Sequence, residues 1–213
     1  ESQLAMGKLG QNLENSIKGK TLARPTFENS GQVAWTVIDG DRVVRVTRSP
    51  ATGELSTSEV DMSELEDIEG EISVLRLSAT GARVAMIING SIYTGVVARA
   101  TSGERRIVNV HRVGPELTGS ALSLDWQADG SLLVGTSSSN SPVWRIEQDG
   151  SSSTTLPTGN ITAPVVAVAA SPSTLYVTDS HALLQLPAGG SSSSYWREVD
   201  GLQGVRSSPI VAR

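Results

Sequence analysis

The stretch SVLRLSATGARVAMII, Ser73 to Ile88, decides the fold. It reads as an apolar strand, a polar turn pivoting on Gly81, and a second strand rich in β-branched and aliphatic residues. The same unit stands upstream as LARPTFENSGQVAWTV (22–37) and downstream as LSLDWQADGSLLV (122–134) and VAVAASPSTLYV (166–177). Superposing the four places Phe27, Leu77, Trp126 and Ala169 in one column and Gly31, Gly81, Gly130 and Ser173 in the next. The first column repeats at intervals of 50, 49 and 43 residues, near the period of a four-stranded propeller blade.

Outward from these hairpins, each repeat completes itself with two further strands. The turns Asp39-Gly40 and Asn89-Gly90 are two-residue hairpin signals between apolar runs. The spacing predicts strands over 22–27, 33–38, 42–47 and 56–60, then 73–77, 84–88, 92–98 and 106–112. It predicts the third set over 121–126, 132–136, 143–147 and 153–157, and the fourth over 165–170, 175–179, 182–187 and 195–199. Residues 1–21 look like outer strands, and Ser208-Pro209-Ile210-Val211 parallels Ala163-Pro164-Val165-Val166. The expectation is an all-β propeller of about five four-stranded blades within a single domain, 1–213, one blade being a composite of N- and C-terminal strands. Near-continuous apolar runs such as Val84–Ile88 suit strands covered on both faces. The column of Phe27, Leu77 and Trp126 is expected to fill the space between blades.

Composition narrows the function. With 213 residues the chain can bury a sizeable core, and without cysteine it has neither disulfides nor thiolate metal sites. A formal net charge of −5 and a pI near 5.1 leave no overall electrostatic footprint for nucleic acid. No apolar run is long enough to span a bilayer. The start at Glu1 suggests a processed product or an excised piece, with any anchor upstream.

The sharpest local feature is Glu59–Glu71, EVDMSELEDIEGE, with seven carboxylates and no basic residue. Ser63-Glu64-Leu65-Glu66 fits a capping box, with Gly70 as a stop, so one or two helical turns are expected. The run is a solvated connector, a docking surface for a basic partner, or a calcium site, although the D-x-[DN]-x-[DN]-G spacing is missing. Connectors from an outer strand to the next inner strand (61–72, 113–120, 158–164, 200–207) should emerge beside the second-to-third-strand turns. Glu64, Leu65, Glu66 and Asp67 are therefore the candidate partner contacts.

Catalytic patterns are sparse. His111 and His181 stand 70 residues apart with no H-x-H or H-E-x-x-H neighbour. There is no G-x-S-x-G elbow and no phosphate-cradling G-x-x-x-x-G-K-[ST]. Asp125, Asp149 and Asp179 sit at strand ends or turns. Arg105, Arg106, His111 and Arg112 make a short basic strand, expected to be a solvated blade edge. Of the four tryptophans, Trp35 and Trp126 read as core. Trp196, beside Tyr195, is the best exposed candidate for a sugar site, and Trp144 stays open.

Four pieces carry a family resemblance: ARPTFENSGQVAWTVIDGDRVVRV (23–46), ISVLRLSATGARVAMIINGSIYTGVV (72–97), ITAPVVAVAASPSTLYV (161–177) and WREVDGLQG (196–204). In that order they resemble the C-terminal β-propeller of the LpqB family of actinobacterial lipoproteins. The resemblance implies a fragment of a lipid-anchored, extracytoplasmic protein whose lipidated cysteine and GerMN-like modules are not in this sequence. It implies an accessory role in the MtrA–MtrB two-component system, through contact with the extracellular domain of the sensor histidine kinase MtrB. It implies no catalytic residues and no cofactor. A propeller gripping a cell-wall glycan is the alternative, and a hydrolase a more distant one.

Overall fold

The computed structural model describes residues 18–28, 31–161, 164–179, 181–189 and 195–199. The repeat becomes four antiparallel sheets, each running in chain order from inner to outer strand. The first is β1 (Thr26–Phe27), β2 (Val33–Ile38), β3 (Arg42–Arg48) and β4 (Leu55–Glu59); the second is β5 (Ile72–Leu77), β6 (Arg83–Ile88), β7 (Ser91–Arg99) and β8 (Arg105–Val113). The third is β9 (Ala121–Trp126), β10 (Leu132–Thr136), β11 (Val143–Ile146) and β12 (Ser153–Thr155); the fourth is β13 (Ala167–Ala170), β14 (Thr174–Thr178), β15 (Leu183–Pro187) and β16 (Arg197–Glu198). The described residues thus form four blades where the sequence leads one to expect about five. The proposed composite blade draws on 1–21 and 205–213, which lie almost wholly outside the described residues.

The chain divides into two compact units, residues 1–88 with 94–111, and residues 89–93 with 112–213. In the first unit, β2 turns Val33, Trp35 and Val37 to one side, all buried. Trp35 stays inside because its indole N–H has a partner, Glu28 Oε1 at 2.9 Å, which also takes Arg45 Nε at 3.2 Å. The turns at Asp39-Gly40 and Asn89-Gly90 hold both residues at positive φ, as a type I′ hairpin requires. In the second unit a core of Leu133, Val143, Val165, Val168, Leu175, Val177, Leu184, Leu186 and Trp196 is closed to solvent.

A side-chain acceptor joins the inner strands of successive blades within each unit. Leu77 N donates to Thr26 Oγ1 at 3.1 Å, tying β5 to β1, and Ala170 N donates to Asp125 Oδ2 at 2.9 Å, tying β13 to β9. Thr26 and Asp125 both immediately precede the column residue, so the repeat encodes its own cross-link.

The column itself needs one correction. Leu77, Trp126 and Ala169 are buried, but Phe27 is 57% exposed. Phe27 pairs with Ala34, on the opposite face of the sheet from the Thr26–Trp35 pair that looks toward the second blade.

Candidate docking surface

Each connector is held by the outer strand of the blade it is about to build. Asp61 N donates to Arg105 O and Ile107 N to Asp61 O, both at 2.9 Å, a parallel bridge between the connector and β8. Glu64 Oε2 then accepts the Val110 N–H at 3.0 Å. In the second unit Glu116 accepts from the Ser153 hydroxyl on β12, and Pro157 O accepts from Trp196 Nε1, next to β16, at 2.7 Å. The basic strand 105–112 is therefore not the bare, solvated edge the sequence suggests. An acidic strap lies along it, and opposite charge favours the pairing.

The strap departs from a capping box. It forms one 3₁₀ turn, Ser63–Leu65, whose N-cap position is Met62 and has no side-chain cap. Asp61 does the capping instead, taking the Ser63 N–H at 3.0 Å in a turn closed by the side chain two residues earlier. The Ser63 N–H and then its hydroxyl hold the Asp61 carboxyl below its ordinary pKa, with a smaller contribution from Arg106, against a slight opposing effect of desolvation. Leu65 N and Ile68 N close the next bonds, to Met62 O and Leu65 O.

At its far end the strap meets the first blade's hairpin turn, where Ile72 N donates to Gly40 O at 2.7 Å. The equivalent bond recurs in the second unit, Ala121 N to Gly90 O at 2.9 Å. Connectors and second-to-third-strand turns thus share a side, as the order of strands dictates. Between strap and turn lies a cleft of about 370 Å³. Asp41, Asp61 and Glu66 bring carboxylates to it, and Met62, Leu65, Ile68, Ile72 and Ile88 supply apolar lining.

The four candidate contacts separate into distinct roles. Leu65 is only 8% exposed and serves as wall of the cleft rather than as a projecting anchor. Glu64 is exposed, yet engaged on β8. Glu66 lies exposed at the cleft, and Asp67 is exposed next to it. Sequence reasoning misses Asp41, Met62 and Ile68, although Asp41 was findable: it follows the Asp39-Gly40 turn that the connector had to pass.

The remaining candidates fall elsewhere. His111 sits on β8 with Nε2 3.2 Å from Thr94 Oγ1, and His181 lies beside Asp179 in a turn. Asp179 is buried and caps that turn through the amides of His181 and Ala182. Asp149 takes the amide and hydroxyl of Ser151. Among the described residues no group of three or more His, Asp or Glu side chains is arranged to hold a metal ion. All four tryptophans are buried, which overturns Trp196 as an exposed sugar platform: at 2% exposure it packs in the core and spends its N–H on Pro157. Tyr195, 74% exposed, is the side chain that faces solvent there.

Comparison with known proteins places the chain. The family model described as the lipoprotein LpqB β-propeller domain matches residues 1–212. A Corynebacterium diphtheriae protein named Lipoprotein LpqB is 46% identical over 212 residues, covering 100% of this chain and 36% of its own length. Proteins of the same name from Rhodococcus jostii and Mycolicibacterium smegmatis are 38% and 35% identical, each with 35% of its length covered. The chain thus spans little more than a third of the curated relatives it matches. Among solved structures, the β-propeller domain of Myceliophteria thermophila Cps50 (Swd1) superposes with a TM-score of 0.54 at 14% identity, covering 82% of this chain and 52% of that one. That likeness concerns the fold, which is a β-propeller.

Proposed function

The chain belongs to the LpqB β-propeller family, and from that premise we propose that it is a non-enzymatic interaction module of an extracytoplasmic, lipid-anchored protein, accessory to the MtrA–MtrB two-component system. Its partner in this reading is the extracellular domain of the sensor histidine kinase MtrB. The observation that carries the reading is the cleft beside the acidic strap, with carboxylates of Asp41, Asp61 and Glu66 around an apolar lining. Such a cleft suits a segment that presents a Lys or Arg next to an apolar side chain. The apolar contact supplies affinity, and the charges set orientation and encounter rate.

The strap is also well placed to be a fixed surface. Backbone pairing to β8 at one end and to Gly40 at the other holds it at both ends, so little ordering remains to oppose binding. The proposed role needs no reacting group.

The test is titration of the purified MtrB extracellular domain into this chain by calorimetry. Glu66→Lys combined with Asp67→Lys is expected to weaken binding at least about tenfold, with two lost or reversed charge contacts of the order measured for interface pairs. Affinity unchanged in that double variant would end the proposal. Glu64→Lys belongs in a separate arm, because it also breaks the bond to Val110.

A further inference from the structure

Three described residues other than glycine hold a positive φ: Asp39, Asn89 and Asn109. Asp39 and Asn89 each precede a glycine in a two-residue hairpin turn, where a left-handed backbone is what the turn requires. Asn109, at φ +55°, has no such turn around it. It sits inside β8, between Val108 and Val110, where an extended backbone would keep the strand regular. A left-handed residue within a strand is the mark of a β-bulge, which inserts one extra residue and shifts the alternation of the strand by one. Backbone held in so sparsely populated a region costs free energy, and such strain collects where a structure uses it.

Side chains and backbone both register the shift. A methyl group built on Gly95 of β7 would lie 2.9 Å from Ile107 Cγ2 and 3.4 Å from Val110 Cγ2. Side chains three residues apart point to opposite faces of a regular strand, so both reach Gly95 because an extra residue stands between them. Along the edge that meets the strap, Arg105 O and Ile107 N pair with Asp61. An unbroken alternation would next turn the amide of residue 109 to that edge. The Val110 amide arrives there instead and donates to Glu64 Oε2 at 3.0 Å. His111 pins the shifted backbone: its Nδ1–H donates to Asn109 O at 3.0 Å, and its Nε2 stands 3.2 Å from the hydroxyl of buried Thr94 on β7.

We propose that Asn109 is a positioning residue of the docking cleft. Its left-handed backbone delivers the Val110 amide to Glu64, and that bond seats the middle of the acidic strap. The strap is paired through its backbone at Asp61 and at Ile72. Glu64 holds it between those ends and immediately precedes Leu65, Glu66 and Ile68, which line the cleft. A carboxylate that accepts a backbone N–H makes a charge-assisted hydrogen bond, stronger than a neutral one. Asparagine suits position 109 because its short polar side chain tolerates the left-handed region, which β-branched side chains do not. The inference rests on reading the cleft as the docking site, but its first measurement needs no partner.

The experiment follows amide hydrogen exchange by mass spectrometry in the 213-residue chain, comparing the strap, residues 61–71, with the β2–β3 hairpin, residues 33–48. Asn109→Val is expected to speed exchange across the strap at least about tenfold, as loss of a hydrogen bond to a charged group implies, and to leave the hairpin unchanged. Asn109→Gly enters positive φ freely and is expected to exchange like the wild type. Glu64→Ala should loosen the strap as far as Asn109→Val does, and the double variant no further, because both break one bond. Unchanged strap exchange in Asn109→Val, or equal loosening in Asn109→Gly, overturns the proposal. So does additive loosening in the double variant, which would confine the role of Asn109 to β8. Should Asn109→Val lose protection throughout the chain, Asn109→Ala, with a smaller penalty at positive φ, is judged by the same criteria. Calorimetry with the purified MtrB extracellular domain gives the second reading. Affinity should fall at least about fivefold in Asn109→Val, since a loosened strap must be ordered on binding, and be retained in Asn109→Gly. Equal affinity in Asn109→Val and the wild type overturns the positioning role. A wild-type chain that does not bind the domain ends the docking reading, while the exchange data still decide whether Asn109 seats the strap.

Discussion

Asp61 and Asp129 show how single side chains set the shape of the turns. Asp129 accepts from Ser131 N at 2.9 Å and from the Ser131 hydroxyl at 2.6 Å, and Arg145 lies 2.6 Å from its other oxygen. Desolvation pulls its pKa upward, but the two bonds from Ser131 and the charge of Arg145 outweigh it and hold the carboxyl below its ordinary value. Glu116 is likewise held low, first by the Ser153 hydroxyl. For groups depressed by folding, the stabilisation is fully present above the unfolded-state pKa, around pH 4, and is lost as the pH falls through the lower folded-state values. Stability should therefore be flat near neutrality and decline below about pH 4. Asp129→Asn should make that decline shallower in urea titrations repeated from pH 6 to pH 2. A second residue-scale test is Gly40→Ala. Gly40 combines φ +81° with a strap whose Glu71 Cβ and Cγ would lie 2.9 Å from a new methyl group. The expected cost is about 1–3 kcal/mol, read as a lower urea midpoint. Gly31→Ala, at φ +65° with nothing within 4 Å, should cost less.

Strands and their links were the most legible part of the chain. Asp-Gly and Asn-Gly turns, β-branched runs and a fixed period locate all sixteen described strands, with β2, β9 and β10 matching to the residue. Period-2 patterning could not say what lies against each face, because that depends on partners distant in sequence. Phe27 reads as filler between blades and Trp196 as exposed, and the structure reverses both: Phe27 is 57% exposed, while Trp196 is buried with its N–H on Pro157 O. The acidic run is legible in the sequence, but its role as a strap is not, since parallel pairing of Asp61 with Arg106 leaves no local signature. The links between inner strands give a direct test. Thr26→Val removes the acceptor of the buried Leu77 amide and should destabilise by about 1–3 kcal/mol, whereas Thr26→Ser should retain most of the stability. Leu133→Ala, in a fully buried β10 position, should cost about 2–5 kcal/mol by leaving a cavity. Chemical denaturation at neutral pH measures both.

At the level of the whole chain, a net charge of −5 combines with local separation of sign: the seven carboxylates of 59–71 run beside the basic strand 105–112. Binding of a basic partner should therefore weaken steeply between about 0.05 M and 0.5 M salt, since screening shortens from roughly 14 Å to roughly 4 Å. An association insensitive to salt would move the contact away from the strap. The habit of clasping each incoming connector with the last strand of the blade it feeds has a consequence for how such arrays can be lengthened or rearranged. A blade transplanted as β5–β8 alone would arrive with its clasp empty and leave its clasped segment behind at the donor site. The transferable module runs from Asp61 to Val113, out of step with the visible sheets, and duplications that preserve folding should have their junctions just after an outer strand.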